Sequence, residues 1–321
     1  MCVYVYICVN TCVRVCVCVC VCVFASVCVC NIHRYIYTYT QTYMYCTHVH
    51  TQTPTHTPTH THHTHTTHTR VYIVQSNHCR ATAVAARKVG LDSYLILRQG
   101  DDRLSRTLDP GLGGNLLISR MVGAQLRMVS KSEYVRAGSK ALVSQCVSQL
   151  LTEGRKPYAI PVGGSSPMGA WGYIQCVEEI RQQCQERGGY FSDIVLACGS
   201  GGSAAGIAIG VKLAGLPCKV HAVLVCDNVE YFKNHIQETL TSLKLPFSPE
   251  DIITLHDGYR GKGYSVSSPE ELSVIKDVAM SSAILTDPVY TGKALCGMIG
   301  LLNQQPRVLG GQVLFLHTGG L

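Results

Sequence analysis

This 321-residue chain carries no lysine before Lys88 and no acidic residue before Asp92. Only 15% of it is charged, and it has one tryptophan and five phenylalanines. It also lacks a basic cluster or stripe that could track phosphates. Beyond residue 70 there are 24 Lys plus Arg against 20 Asp plus Glu, a balance that argues against a nucleic-acid or membrane-surface protein. No CxxC pair or short disulfide framework occurs there either. The eight later cysteines, scattered mostly in apolar runs, therefore read as buried free thiols in a reducing compartment. What is present divides sharply in two. Residues 1–70 hold 10 of the 18 cysteines, 9 of the 14 histidines and three arginines, so the formal charge of +7 pools two unlike segments. The length suffices for one large or two ordinary domains.

Residues 1–70 alternate Cys with Val, then Tyr with Ile or Thr, then Thr with His. Each pair is what a two-nucleotide repeat spells when translated, so this stretch reads as low-complexity repeat and not as an evolved domain. Four structural readings stand beside that one. Val15 to Cys30 is apolar enough for a signal peptide or short membrane span, but Arg14 is its only flanking charge and no polar cleavage region follows. Val-Cys alternation suits a strand with two apolar faces. The Thr-His tract can bind metal adventitiously, without fixed geometry. Residues 47–69 offer so few groups to bury that disorder is expected of them.

After Arg70 strand and helix signals alternate. VYIVQ (71–75) predicts a strand, followed by a helix from Asn77 to about Val89 that Ser76 or Asn77 can cap. SYLILR is a strand and DPGLGGN a loop. SEYVRAGSKALVSQCVSQLLTEG is a long helix with an apolar stripe of Val135, Leu142, Val143, Val147, Leu150 and Leu151. PYAIPVGGSSPMG runs from strand into loop, and WGYIQCVEEIRQQCQER is again helical. DIVLAC, GSGGS, AAGIAIGVKLAG and KVHAVLVC read as strand, turn, helix and strand. This alternation predicts an α/β fold with a parallel sheet covered on both faces.

The turn in LACGSGGSAAG (196–206) is the most informative local feature. Glycines let the backbone approach a ligand, the free amides of a helix start point outward, and the serines add donors; together Gly199, Ser200, Gly201, Gly202 and Ser203 suit a phosphate. A tight strand-to-helix turn needing glycine only for its conformation is the alternative. No Lys-Ser/Thr pair follows, and the spacing departs from GxGxxG, so a phosphorylated cofactor other than ATP or NAD is the better expectation. QSNH (75–78), DPVYTGKAL (287–295) and LFLHTGG (314–320) each set polar residues at a turn. Any one alone is ordinary capping, but together at the carboxyl rim of a parallel sheet they make a site.

Together QSNHCRATAVAARKVGL, GNLLISRMVGA, PYAIPVGGSSPMGAWGYI, IVLACGSGGSAAG, VCDNVEYF and DPVYTGKAL resemble the D-cysteine desulfhydrase and 1-aminocyclopropane-1-carboxylate deaminase family. These are pyridoxal-phosphate enzymes with the tryptophan-synthase β-chain fold. The resemblance runs from about Val71 to Leu321. It implies a small α/β domain over 77–162 and a larger, incomplete one over 71–76 and 163–321. It implies pyridoxal 5'-phosphate as cofactor, its phosphate on Gly199–Ser203, its ring hydroxyl on Asn77 and its pyridine nitrogen near Thr318 and Thr291. Ser76, Asn77 and His78 would meet a small D-amino-acid substrate, the serine and histidine at its carboxylate. Ser76, Tyr290 and Tyr264 would be the catalytic set, although Tyr259 stands five residues away in an equally Gly-rich loop. The deaminase branch has Glu after the tyrosine where this chain has Thr291, which favours β-elimination of D-cysteine over opening of a cyclopropane ring. No metal, nucleic acid or membrane partner is implied; a homodimer is, and cytoplasm is the default compartment.

The family also carries its cofactor on a lysine, in a GNKxRKLE-like motif upstream of the SNH turn. Here Thr and His fill that place. Lys88 lies ten residues past His78, roughly 15 Å along a helix, and cannot substitute; Lys293 is a remote candidate. The resemblance therefore implies either a lyase whose lysine-bearing segment is replaced in this chain, or a non-catalytic relative that binds pyridoxal phosphate or a partner. Loss of that segment is expected to bare a sheet edge and promote aggregation.

Overall fold

The computed structural model describes residues 4–8, 14–19, 21–24, 27–29, 66–73, 76–98, 113–304 and 308–319, with side chains from Ser76 onward except Arg187. Two parallel sheets organise it. The smaller has the order β7 (Gln125–Val129), β6 (Asp92–Arg98), β5 (Thr66–Ile73), β8 (Lys156–Ala159), every pair parallel. The larger has the order β1 (Tyr4–Cys8), β2 (Arg14–Val19), β12 (Gln312–His317), β9 (Asp193–Cys198), β10 (Lys219–Leu224), β11 (Thr254–His256). All of its pairs are parallel except β1 with β2. β3 (Val21–Phe24) and β4 (Val27–Val29) form a separate antiparallel pair.

Three expectations change here. Residues 71–73, assigned from sequence to the larger unit, pair at the centre of the smaller sheet, because β5 aligns along all seven residues of β6. Of the tract expected to be disordered, Thr66–Thr69 opens that same strand, while residues 47–65 lie outside the described ones, as do residues 74–75 of the VYIVQ segment. Where a bare sheet edge was expected, β12 is paired in parallel with β2, whose period-two Val-Cys alternation satisfies strand geometry.

The central strands are apolar throughout because both of their faces are covered. Ile194, Leu196 and Leu314 point to one core with Ile207, Phe232 and Ile236. Val195, Val313 and Phe315 point to the other with Leu295, Met298 and Leu301. The helices follow as α1 (Asn77–Lys88), α2 (Gly114–Met121), α3 (Lys131–Thr152), α4 (Pro167–Arg187), α5 (Gly202–Leu213), α6 (Val229–Ser242), α7 (Pro269–Ser282) and α8 (Thr291–Gln304). In α3 the expected stripe is narrower: Leu142 and Leu150 are buried, whereas Val135 and Leu151 are exposed. Gly138, at φ 76°, breaks the helix and takes Val135 out of phase with the later turns.

Across β9, β10 and β11 of the large sheet, His221 Nε2 lies 2.9 Å from Asp193 Oδ1 and its Nδ1 lies 2.9 Å from His256 Nε2. Burial works to raise the Asp193 carboxyl, but hydrogen bonds from His221, Ser192 and the Gly310 amide overcome it and hold it low. Burial, aided by the His221 neighbour, pushes His256 down to about 4. The unfolded chain thus protonates His256 near pH 6.5 and the folded one only near 4, so stability is complete above 6.5 and is lost as pH falls through that window. Melting is expected to drop across it by about 1–2 kcal/mol, discounted for partial exposure. A His256→Asn variant with an unchanged acid profile would count against this.

Candidate active site

Site residues converge on a cavity of about 1630 Å³ at the carboxyl ends of the strands, between the two sheets. From the small-sheet side come Ser76, Asn77 and His78. Ser76 accepts the Cys79 amide at 3.1 Å and so caps α1, and it also lines the cavity, so capping leaves it at the site. Asn115, from the GNLL segment, donates to Asn77 Oδ1 at 2.8 Å and fixes that amide's orientation.

Opposite stands the turn after β9. Gly201 has φ 88° and caps α5 without a side chain, leaving the first amides of that helix free. The glycines are required by crowding as well as by conformation. A Cβ on Gly201 would lie 2.7 Å from the His235 ring, one on Gly202 2.9 Å from Ser165 Oγ, and one on Gly199 2.7 Å from the Tyr290 ring. Ser165 Oγ donates to the Ser200 carbonyl at 2.7 Å, so it accepts Nε2–H of His235 at 2.6 Å. Burial lowers the His235 pKa, consistent with a neutral ring in that tautomer. The loop holding Ser165 also carries Gly163 (φ 69°) and Gly164 (φ 61°), which press on Ser200 and His78 respectively. It thereby joins the phosphate-type turn to the SNH turn.

A tyrosine pair forms the third wall. The Tyr264 and Tyr290 hydroxyls are hydrogen-bonded to one another, with ring centroids 5.9 Å apart and planes at 70°. Burial pushes Tyr264 up to about 12 and Tyr290 well above the ordinary phenol value, so both hold their protons at neutral pH. Tyr259 instead packs over Gly297 and Gly300 of α8. The structure thus brings Tyr264, and not Tyr259, to the cavity.

Ser76, Asn77, His78, Gly199, Ser200, Gly201, Ser203, Tyr264, Tyr290 and Thr318 all line one cavity, while Gly202 sits just behind the turn. Thr291 is the exception. It is fully buried, and its hydroxyl donates to Asp287 Oδ2 at 2.6 Å while accepting the Asp287 amide at 2.9 Å. It therefore builds the turn beneath Tyr290 and has no hydroxyl hydrogen left to offer the cavity, whereas Thr318 lines it. His317 holds Thr318 in place by bridging the Leu285 carbonyl, 2.8 Å away, and the Gly319 amide, 3.2 Å away.

Sequence reasoning missed Arg80, Arg98, Ser165 and His235, which also line the cavity. Arg80 could have been noticed, since it follows Asn77 by three residues and shares its helix face. Arg80 Nη1 and Arg98 Nε are buried without a hydrogen-bond partner. Orphaned guanidinium donors in a cavity ask for an anion.

A cradle of this kind at the carboxyl edge of a parallel sheet, facing a second α/β unit, defines a phosphate-cofactor enzyme of the α/β class. The chain belongs to the pyridoxal-phosphate dependent enzyme family, whose model matches residues 59–319. It is 47% identical over 251 residues to the bifunctional D-cysteine desulfhydrase/1-aminocyclopropane-1-carboxylate deaminase, mitochondrial, of Arabidopsis thaliana, covering 77% of this chain and 62% of that relative's length. It is 34% identical over 254 residues to the D-cysteine desulfhydrase of Serratia proteamaculans, covering 77% and 72%. A crystal structure of an ACC deaminase homologue superimposes with TM-score 0.68 at 32% identity, over 80% of this chain and 74% of that one. The fold is the tryptophan-synthase β-like one, and pyridoxal phosphate is the family's cofactor.

The residues present fit that cofactor at its phosphate end, where the crowded glycine cradle and free amides await an anion. The covalent handle is not found among the described residues. Lys293 is buried and fully engaged elsewhere, and Lys140, the lysine that lines the cavity, is exposed on α3 over the small sheet. No helix among the described residues is long and apolar enough to cross a membrane.

Proposed function

We propose that this is the site of a D-cysteine desulfhydrase-type lyase, acting on a small D-amino acid, and that this chain holds its cofactor without a covalent bond. When bound, pyridoxal phosphate supplies an electron-withdrawing ring that acidifies the substrate α-carbon. The protein's part follows from its own groups. The Gly199–Ser203 amides hold the phosphate, and Asn77, oriented by Asn115, meets the ring hydroxyl. Ser76 and His78, backed by Arg80, bind the substrate carboxylate. Thr318 offers a neutral hydroxyl to the ring nitrogen. The overall change takes D-cysteine and water to pyruvate, hydrogen sulfide and ammonia.

The observation that carries this reading is the Tyr264–Tyr290 pair. Two phenols kept protonated by burial can give a hydrogen bond, and then a proton at the phenolic oxygen, to a departing sulfur. The residue after Tyr290 is Thr291, whose hydroxyl is fixed within its own turn, so no carboxylate stands there as the deaminase branch would have. A homodimer and the cytoplasm remain part of the proposal.

The test is to load the purified chain with pyridoxal phosphate and then treat it with borohydride. The expected result is saturable binding that dialysis reverses, no cofactor fixed to any peptide, and no sulfide from D-cysteine. Supplying the lysine-bearing family segment in place of residues 1–65 is expected to bring both fixation and sulfide release. Cofactor fixed on Lys140 of the unaltered chain would overturn the non-covalent reading. A lysine-restored chain that releases no sulfide would overturn the desulfhydrase one.

A further inference from the structure

Lys293 is a buried ammonium that the site does not use. It lies on α8 three residues after Tyr290, and its side chain is 0% exposed. Its Nζ donates to the carbonyls of Arg260 at 2.6 Å, Gly263 at 3.1 Å and Val266 at 2.9 Å, with Glu271 Oε1 of α7 at 3.5 Å. An ammonium has three donors, and here three carbonyls take them while one carboxylate balances the charge. The other oxygen of Glu271 accepts the Ser268 amide at 2.8 Å, which holds the carboxylate in place. Gly261 leaves room for the arrangement: at φ +60°, a Cβ there would lie 2.3 Å from Glu271 Oε1 and 3.2 Å from Lys293 Nζ.

All three carbonyls belong to the loop that carries Tyr264, and the cation is tethered to the helix that begins directly after Tyr290. We propose that Lys293 is a positioning residue, a tethered monovalent cation in a backbone-carbonyl cage that folds loop 260–266 and so sets Tyr264 against Tyr290. The functional weight of this rests on the tyrosine pair belonging to the site, but the loop can be read on its own. Converging carbonyl oxygens also suit free ammonium or potassium, so a chain without the tethered charge becomes salt-selective.

The experiment is Lys293→Met in the full chain, which keeps an unbranched apolar stem and removes the charge. Hydrogen exchange of the 260–266 amides and the tyrosine ionisation spectrum are followed in ammonium, potassium and tetramethylammonium chloride at equal ionic strength. In tetramethylammonium, loop protection is expected to fall at least about tenfold and one tyrosine to titrate lower, both reverting in ammonium or potassium; the unaltered chain is expected not to distinguish the salts. Unchanged protection, or identical behaviour of the variant in all three salts, would overturn the proposal. If the variant does not fold, its refolding yield decides. Recovery only in ammonium or potassium supports the cage, and equal failure in every salt refutes it.

Discussion

Gly163→Ala is expected to weaken pyridoxal-phosphate binding by about a hundredfold or more, a larger loss than any single polar contact in the cradle would give. The Cβ it introduces would fall 1.9 Å from Ser200 Oγ and 2.4 Å from Ser200 Cβ, so rotating the serine side chain cannot relieve the clash and the turn itself has to move. The backbone there has φ +69°, which adds about 1–2 kcal/mol of strain for any residue with a side chain. Gly154→Ala separates the two effects. Its φ is +74° but nothing lies within 4 Å of the added atom, so it should lower stability by the conformational term alone and leave binding intact. Fluorescence titration of the two variants checks this. Equal affinities would mean that the Gly163 loop does not shape the cradle.

That loop also shows where sequence reasoning stops. GSGGS announced itself as a phosphate turn because glycine and serine clustered between an apolar strand and an apolar helix, and such local composition is readable along one chain. PVGGS reads only as a loop, since its glycines answer to Ser200 and His78, residues distant in sequence, and crowding between separate segments leaves no periodic trace. The core strands were legible for the same reason as the turn: a strand buried on both faces is apolar at every position, as DIVLAC is. The sheet that owns β5 was not, because VYIVQ would suit the middle of either sheet and only pairing with β6 decides. Thr291 was misplaced by a related limit. Its position after Tyr290 is right, but whether a hydroxyl faces a cavity or its own turn depends on Asp287, four residues earlier, whose carboxylate had no visible assignment. The orphaned donors of Arg80 and Arg98 likewise have meaning only once the cavity exists.

Asp287→Ala is expected to be the most destabilising single change at the site, by about 3–5 kcal/mol. One oxygen of this carboxylate accepts the Val289 amide at 2.9 Å and the Tyr290 amide at 2.7 Å. The other accepts the Thr291 amide at 3.1 Å and its hydroxyl at 2.6 Å. The carboxylate thus satisfies the amino terminus of α8, where a negative charge is also favoured by the helix dipole. Alanine leaves four donors without partners in a place too buried for water to replace the acceptor, since Asp287 is only 4% exposed. For a folded body of about 250 residues this corresponds to a fall of roughly 10 °C in Tm. Asp287→Asn keeps one acceptor oxygen but turns an NH₂ toward amides, so it should fall between the two. The damage is not confined to stability. Asp287 is also the negative charge that partly offsets the burial of the Arg80 guanidinium, and its turn sets the direction of the Tyr290 ring that Tyr264 meets. At a temperature where Asp287→Asn remains folded, its cofactor affinity should therefore drop along with the coupling of the two tyrosines. A variant that melts within about 2 °C of the parent, or that keeps the tyrosine pair's high ionisation, would show that Asp287 is not the joint between helix, tyrosine pair and arginine.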